Sequence, residues 1–226
     1  FGAGEPDFPT PAHIVDAAKE ALDLGMTRYT PASGTFELRK AICDKLERDN
    51  DLIYKPQDIV VSSGAKHSLY NIFQAIIDPG DEVLIPTPCW VSYPEMVRMA
   101  GGVPVLIPTD EATDFIPTKR DIASRVTRRT KAMIITSPSN PNGSVWDQEQ
   151  LQFVADLAVT HPFYVVSDEI YEKLCYNGVK AFSVAACSEK MKDLTITVNG
   201  VSKTYAMTGW RVGYLAAPKD VAKAID

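Results

Sequence analysis

The strongest constraint on this chain is a change of rhythm at residue 58. From there on, short β-rich apolar runs at 59–62, 82–86, 103–107, 132–136, 163–167, 194–198 and 212–216 alternate with helical stretches. Leu69, Ile72, Phe73 and Ile76 form one such stretch, and Leu151, Val154, Ala155 and Ala158 another. Strands separated by crossover helices predict an α/β fold: a mainly parallel, seven-stranded sheet with helices on both faces. Residues 200–209 are too irregular for a helix, so the last two runs are free to pair differently.

Upstream, Thr10-Pro11 reads as an N-cap followed by proline in the first turn. Ile14, Ala17, Ala18, Ala21 and Leu22 then share one helical face, and Gly25 supplies the stop. Turn formers from Tyr29 to Gly34 break the pattern before a second amphipathic segment through Leu38, Ala41, Ile42 and Leu46.

Composition narrows the function classes. A formal charge of -6 gives no basic field to attract nucleic acid or acidic lipid. Four cysteines and three histidines, without a C-x-x-C pair, argue against a zinc cluster or disulfide scaffold and fit a reducing cytoplasm. No apolar run approaches the ~18 residues that span a bilayer. The start at Phe1 and the end partway through a helix-like pattern read as a segment of a longer protein.

In open α/β sheets ligands bind beyond the carboxyl ends of the strands, so the polar residues there are the candidates. After the first run comes S-S-G-A-K (62–66), where small residues and unpaired helix-start N–H groups suit an anion. An ordinary strand-to-helix turn explains it equally, and the P-loop pattern is absent. After the fourth run, S-P-S-N-P-N-G (137–143) sets Asn140 between prolines, which aims its amide or simply makes a turn. After the fifth, S-D-E-I-Y (167–171) places Asp168 at the end of a buried strand. A carboxylate there is costly unless paired; a protonated pyridine nitrogen is one partner, and helix N-capping is the competing explanation. Lys203 follows the sixth run on what is ordinarily a solvated loop, and Arg211 follows with a planar fork suited to phosphate or to a structural ion pair. Trp90, past the second run, either stacks on a planar ring or fills core.

Taken in order, S-S-G-A-K, S-P-S-N-P-N-G, S-D-E-I-Y and S-K-T-Y-A-M-T-G-W-R-V-G resemble the class I/II aminotransferases of pyridoxal 5'-phosphate (PLP) fold type I. The resemblance runs from Gly4-Glu5-Pro6-Asp7 through Arg211 and looks closest to the bacterial aspartate and prephenate branch. It implies that Lys203 holds the cofactor as a Schiff base and, once displaced by substrate, shuttles the proton between Cα and C4'. It further implies Asp168 on the pyridine nitrogen, Asn140 and Tyr171 on the ring's 3'-oxygen, and Trp90 stacked on the ring. Gly64, Ala65, Lys66, Ser202 and Arg211 would meet the phosphate end. Tyr29 would reach the phosphate of a partner subunit, implying a homodimer. Gly4, Trp90, Asn140 and Lys66 would touch substrate, with Lys66 on an acidic side chain.

The expected reaction is amino transfer from aspartate or glutamate to a 2-oxo acid, with small-molecule partners and neither nucleic acid nor membrane. The same lysine and fold also serve β-lyases and cyclopropane-forming synthases, and a PLP-sensing regulator domain is a third reading. The expected division is an N-terminal segment and first helix at 1–30, a PLP-binding large domain at 31–217, and at 218–226 the start of a linker to a small domain. That absent portion carries the family's arginine for the substrate carboxylate. One departure stands out: many relatives carry serine three residues before the lysine, where this chain has Gly200.

Overall fold

Alternation along each strand decides which layer a side chain joins. In the computed structural model, which describes residues 4–226, seven strands form one sheet: β1 (Ile59–Ser62), β2 (Glu82–Thr87), β3 (Val103–Pro108), β4 (Thr130–Thr136), β5 (Tyr164–Asp168), β6 (Thr195–Gly200) and β7 (Gly213–Ala216). Their spatial order is β1-β7-β6-β5-β4-β2-β3. All neighbouring pairs are parallel except those of β7, which runs antiparallel to both β1 and β6. The mainly parallel sheet expected from the sequence is therefore present, and the last two runs do pair differently.

One layer buries Val60, Ile85, Ile134, Val166, Val198 and Leu215 against α3 (Ala65–Ile76), α4 (Ser92–Met99) and α8 (Lys219–Ile225). The other buries Leu84, Ile135 and Val165 against α5 (Lys119–Ala123), α6 (Gln148–Thr160) and α7 (Glu189–Lys192). On that same side, α2 (Phe36–Asn50) covers Ile59, Tyr214 and Ala216 through Ile42, Cys43 and Leu46. The buried stripe of α2 is turned from the expected one, since Leu38 and Ala41 are exposed.

The first helix, α1 (Ala12–Asp23), contributes no buried residue. Its start also differs from expectation. Pro11 occupies the N-cap and no side chain caps the helix. The Thr10 hydroxyl instead donates to the Ala206 carbonyl at 2.7 Å and accepts the indole N–H of Trp210 at 3.1 Å. A tertiary contact has taken the hydroxyl from its local role, fastening the N-terminal segment to the loop between β6 and β7. No helix among the described residues is long and apolar enough to cross a membrane.

Candidate active site

Because β1, β2, β4, β5 and β6 run in one direction, their carboxyl ends open on one edge of the sheet. The antiparallel β7 begins there, with Gly213 in register with both Ser62 and Gly200. The loops beyond these ends enclose a cleft of about 950 Å³. Gly4, Ala65, Lys66, Trp90, Asn140, Asp168, Tyr171, Ser202, Lys203 and Arg211 all line it. Every candidate named from the sequence thus reaches one cavity except Gly64, which sits behind Arg211, and Tyr29, whose side chain is fully exposed outside it.

One end of the cleft is built for an anion. Gly64 caps α3 with φ 87, a conformation that side chains disfavour. A Cβ there would lie 2.2 Å from the Arg211 guanidinium, and one on Gly213 only 2.3 Å from the Ala65 backbone nitrogen. The glycines let β7 and the guanidinium close onto the start of α3, whose N–H groups favour negative charge. Arg211 donates from Nη1 to the Thr208 carbonyl at 2.8 Å. No carboxylate pairs with it among the described residues, so the structural ion pair considered from sequence is not formed.

The same close approach accounts for Gly200. A Cβ there would stand 2.9 Å from the Val212 carbonyl and 3.1 Å from Gly213 Cα. In this chain a serine there would force β6 and β7 to shift apart, and Ser202 is the hydroxyl that lines the cleft.

At mid-cleft stands Lys203. Its Nζ donates to the Gly4 carbonyl and lies 5.7 Å from the centre of the Tyr171 ring. Burial pushes its ammonium below the ordinary lysine range, Glu5 opposes that shift, and Arg211 adds to it. A depressed pKa enlarges the neutral fraction, the form that is nucleophilic and basic.

Asp168, the last residue of β5, is 4% exposed. Oδ1 accepts the Ile170 N–H at 3.2 Å and Oδ2 accepts the Tyr93 hydroxyl at 2.7 Å. Burial raises its pKa, with Tyr93 and the Ile170 N–H pulling the other way. Residues 170–173 form turns, so the carboxylate caps no helix. No lysine or arginine pairs with it among the described residues, which leaves a buried acid facing the cleft without a cation.

Tyr171 and Asn140 flank it. Burial and Asp168 raise the Tyr171 phenol, and the Asn140 amide lowers it. Asn142 braces the Asn140 loop by accepting from Ser144 N at 3.0 Å and Ser144 Oγ at 2.6 Å. Trp90 meets Tyr93 edge-on, centroids 5.4 Å apart at 86°, and Lys66 Nζ sits 4.7 Å from the Trp90 ring centre. Sequence reasoning missed Tyr93. Its one signal is the three-residue spacing from Trp90, which on a helical turn brings the two rings together.

On the far side of the sheet, Glu169 anchors the loop that follows Asp168. It is 3% exposed, and its Oε1 accepts the hydroxyls of Ser167 at 2.9 Å and Ser183 at 2.6 Å. Burial outweighs both donors and Lys45, and, with Glu172 repelling it, its pKa rises to about 7. A raised folded-state pKa means stability is highest below the unfolded carboxyl value and is lost as pH climbs to the folded one. Glu169→Gln should therefore flatten the decline in stability between about pH 5 and about pH 8 by on the order of 2–3 kcal/mol. Urea unfolding at both pH values checks this; an unchanged decline contradicts it.

Comparison with known proteins gives the chain's family. The family model "Aminotransferase class I and II" matches residues 1–226. The aspartate aminotransferase of Bacillus sp. strain YM-2 is 51% identical over 225 residues, covering 100% of this chain and 57% of the relative. The aspartate/prephenate aminotransferase of Thermus thermophilus is 50% identical over 223 residues, covering 99% and 57%. Among solved structures, the T. thermophilus aspartate aminotransferase with maleate superposes with a TM-score of 0.95 at 50% identity, covering 99% of this chain and 57% of that one. An aromatic aminotransferase from Pyrococcus horikoshii gives 0.96 at 45% identity, covering 99% and 60%.

The fold is that of an aminotransferase large domain. The chain belongs to the class I and II aminotransferase family, and it spans 57% of the length of the aspartate aminotransferases it resembles.

Proposed function

We propose that this chain is the cofactor-binding part of a PLP-dependent aminotransferase that moves an amino group from aspartate or glutamate to a 2-oxo acid. The observation that carries this reading is Asp168: a buried carboxylate without a cation among the described residues, in the same cleft as an amine of depressed pKa and a guanidinium that no described carboxylate pairs, over a glycine cradle. A phosphorylated pyridine fits these residues, with Arg211, Ala65 and Ser202 at its phosphate, Asp168 at its ring nitrogen, Asn140 and Tyr171 at its ring oxygen and Trp90 on its face. When bound, the cofactor supplies an electron sink for charge left at the amino acid's Cα. Lys203 Nζ is the amine that would hold the cofactor's aldehyde and, once freed by the incoming amino group, would take up and return the proton at the substrate's Cα. Asp168 would pair with the ring nitrogen and favour its protonated form, and Tyr171 and Asn140 would hold the ring oxygen.

Lys66 places a cation beside Trp90 at the cleft wall, which supports an acidic substrate side chain. Gly4 brings a backbone carbonyl over Lys203, where a substrate would displace it. The fully exposed Tyr29 is free to serve a second subunit's site in a homodimer, and four unpaired cysteines suit a reducing, cytoplasmic setting. An amino-donor screen of the full-length protein with PLP and 2-oxoglutarate tests this. Aspartate is expected to give the highest kcat/KM; preference for aromatic or neutral donors overturns the substrate assignment. Release of pyruvate or ammonia without amino transfer overturns the reaction in favour of a lyase.

A further inference from the structure

Tyr93 is 2% exposed, and its hydroxyl is the only side-chain donor on Asp168 among the described residues. The same oxygen lies 2.7 Å from Thr136 Oγ1, at the end of β4. Three elements meet in this contact. The end of β5 supplies Asp168, the end of β4 supplies Thr136, and α4 brings Tyr93 with its edge against Trp90. Strand alternation explains the meeting, since Thr136 and Asp168 are register partners on adjacent parallel strands and face the layer that holds α4.

We propose that Tyr93 is a positioning residue for the cofactor's ring: relayed by Thr136, it orients the Asp168 carboxylate and holds it in the charged form while fixing the wall residue Trp90. This rests on the reading of Asp168 as the ring-nitrogen partner. A hydroxyl suits the task because it can turn. With Asp168 ionised, Tyr93 donates to it and accepts from Thr136; with Asp168 protonated, the chain can run the other way, Tyr93 donating to Thr136. A phenylalanine would fill the same volume and keep the Trp90 contact, but leave Oδ2 without its donor.

The titratable neighbours are few. Cys89 lies beside Tyr93 and Tyr171 beside Asp168, and burial raises both. Lys203, Lys66 and Arg211 line the rest of the cleft, with Glu5 at its mouth. All of them are common to the proteins being compared.

Two measurements on the full-length protein test the proposal. The first needs no cofactor. Apoprotein stability is compared for wild type and Tyr93→Phe from about pH 5 to about pH 8. Loss of a donor to the charged form should widen the stability deficit of the variant as pH rises, because the ionised carboxylate is the form left unsolvated. A packing role alone gives a deficit that does not change with pH, and that result overturns the proposal. The second measurement is PLP affinity. Tyr93→Phe should weaken it about ten- to a hundredfold, the scale of a hydrogen bond to a charged group. Thr136→Val should weaken it less, and should add nothing in the Tyr93→Phe background if it acts through Tyr93. Full additivity overturns the relay. If Tyr93→Phe does not fold, Thr136→Val carries both measurements alone, and wild-type behaviour in both sinks the idea. Failure of wild type to bind PLP would instead refute the cofactor assignment, while the apoprotein comparison still judges Tyr93.

Discussion

Lys203→Ala should abolish the yellow, borohydride-reducible adduct with PLP and lower transamination by at least about 10⁴-fold, the upper range for a lost general base. The size of the effect follows from one amine doing two jobs. In the proposed reading it would be both the nucleophile that holds the cofactor and the base that moves the Cα proton. Nothing nearby can substitute. Lys66 is the other lysine lining the cleft, but it is exposed and held over Trp90. The fold should survive, because the Lys203 side chain is only partly buried and, among the described residues, hydrogen-bonds only to the Gly4 carbonyl. An unfolded variant, or one that still forms the adduct, contradicts the assignment.

Asp168→Asn should split function from stability. The amide keeps the volume and an acceptor for Tyr93 or Ile170, but loses the charge. Removing the partner of a buried cation typically costs ~3–5 kcal/mol, so PLP affinity should fall by about two to three orders of magnitude. The apoprotein should move the opposite way. Burial raises the Asp168 pKa, so its ionised form destabilises the empty protein as pH rises above the unfolded carboxyl value. At about pH 8 the variant apoprotein should therefore unfold at higher urea than wild type. Tighter PLP binding by the variant, or a less stable apoprotein at that pH, would mean that Asp168 is a structural acid already paid for by its two donors.

Much of the fold could be read from residue order. The strand runs differ from the observed strands by no more than two residues at either end, because apolar stretches between crossover helices leave few alternatives. Asp168 was visible because a carboxylate ending an apolar run demands a partner. Gly64 and Arg211 were visible as types suited to phosphate, although only the coordinates show the guanidinium packed on the glycine. The remainder was hidden by distance along the chain. Tyr93 reads as one more apolar contact beside Met96 and Val97, since nothing local indicates that Asp168, 75 positions away, takes its hydroxyl. Thr10 carries a convincing helix-start signal, yet a carbonyl 196 residues on captured it. Gly200 reads only as a departure from the serine of many relatives, because its closeness to Gly213 arises only once β7 turns back between β1 and β6. The irregular stretch 200–209 signals that the last two runs can pair differently, but not that β7 inserts between β1 and β6.

The most direct test of the whole account is to add PLP to the full-length protein, reduce it with borohydride and map the modified peptide. A phosphopyridoxyl group is expected on Lys203. Its appearance on Lys66 or any other lysine, with position 203 unmodified, would overturn the assignment of Lys203 as the cofactor's anchor.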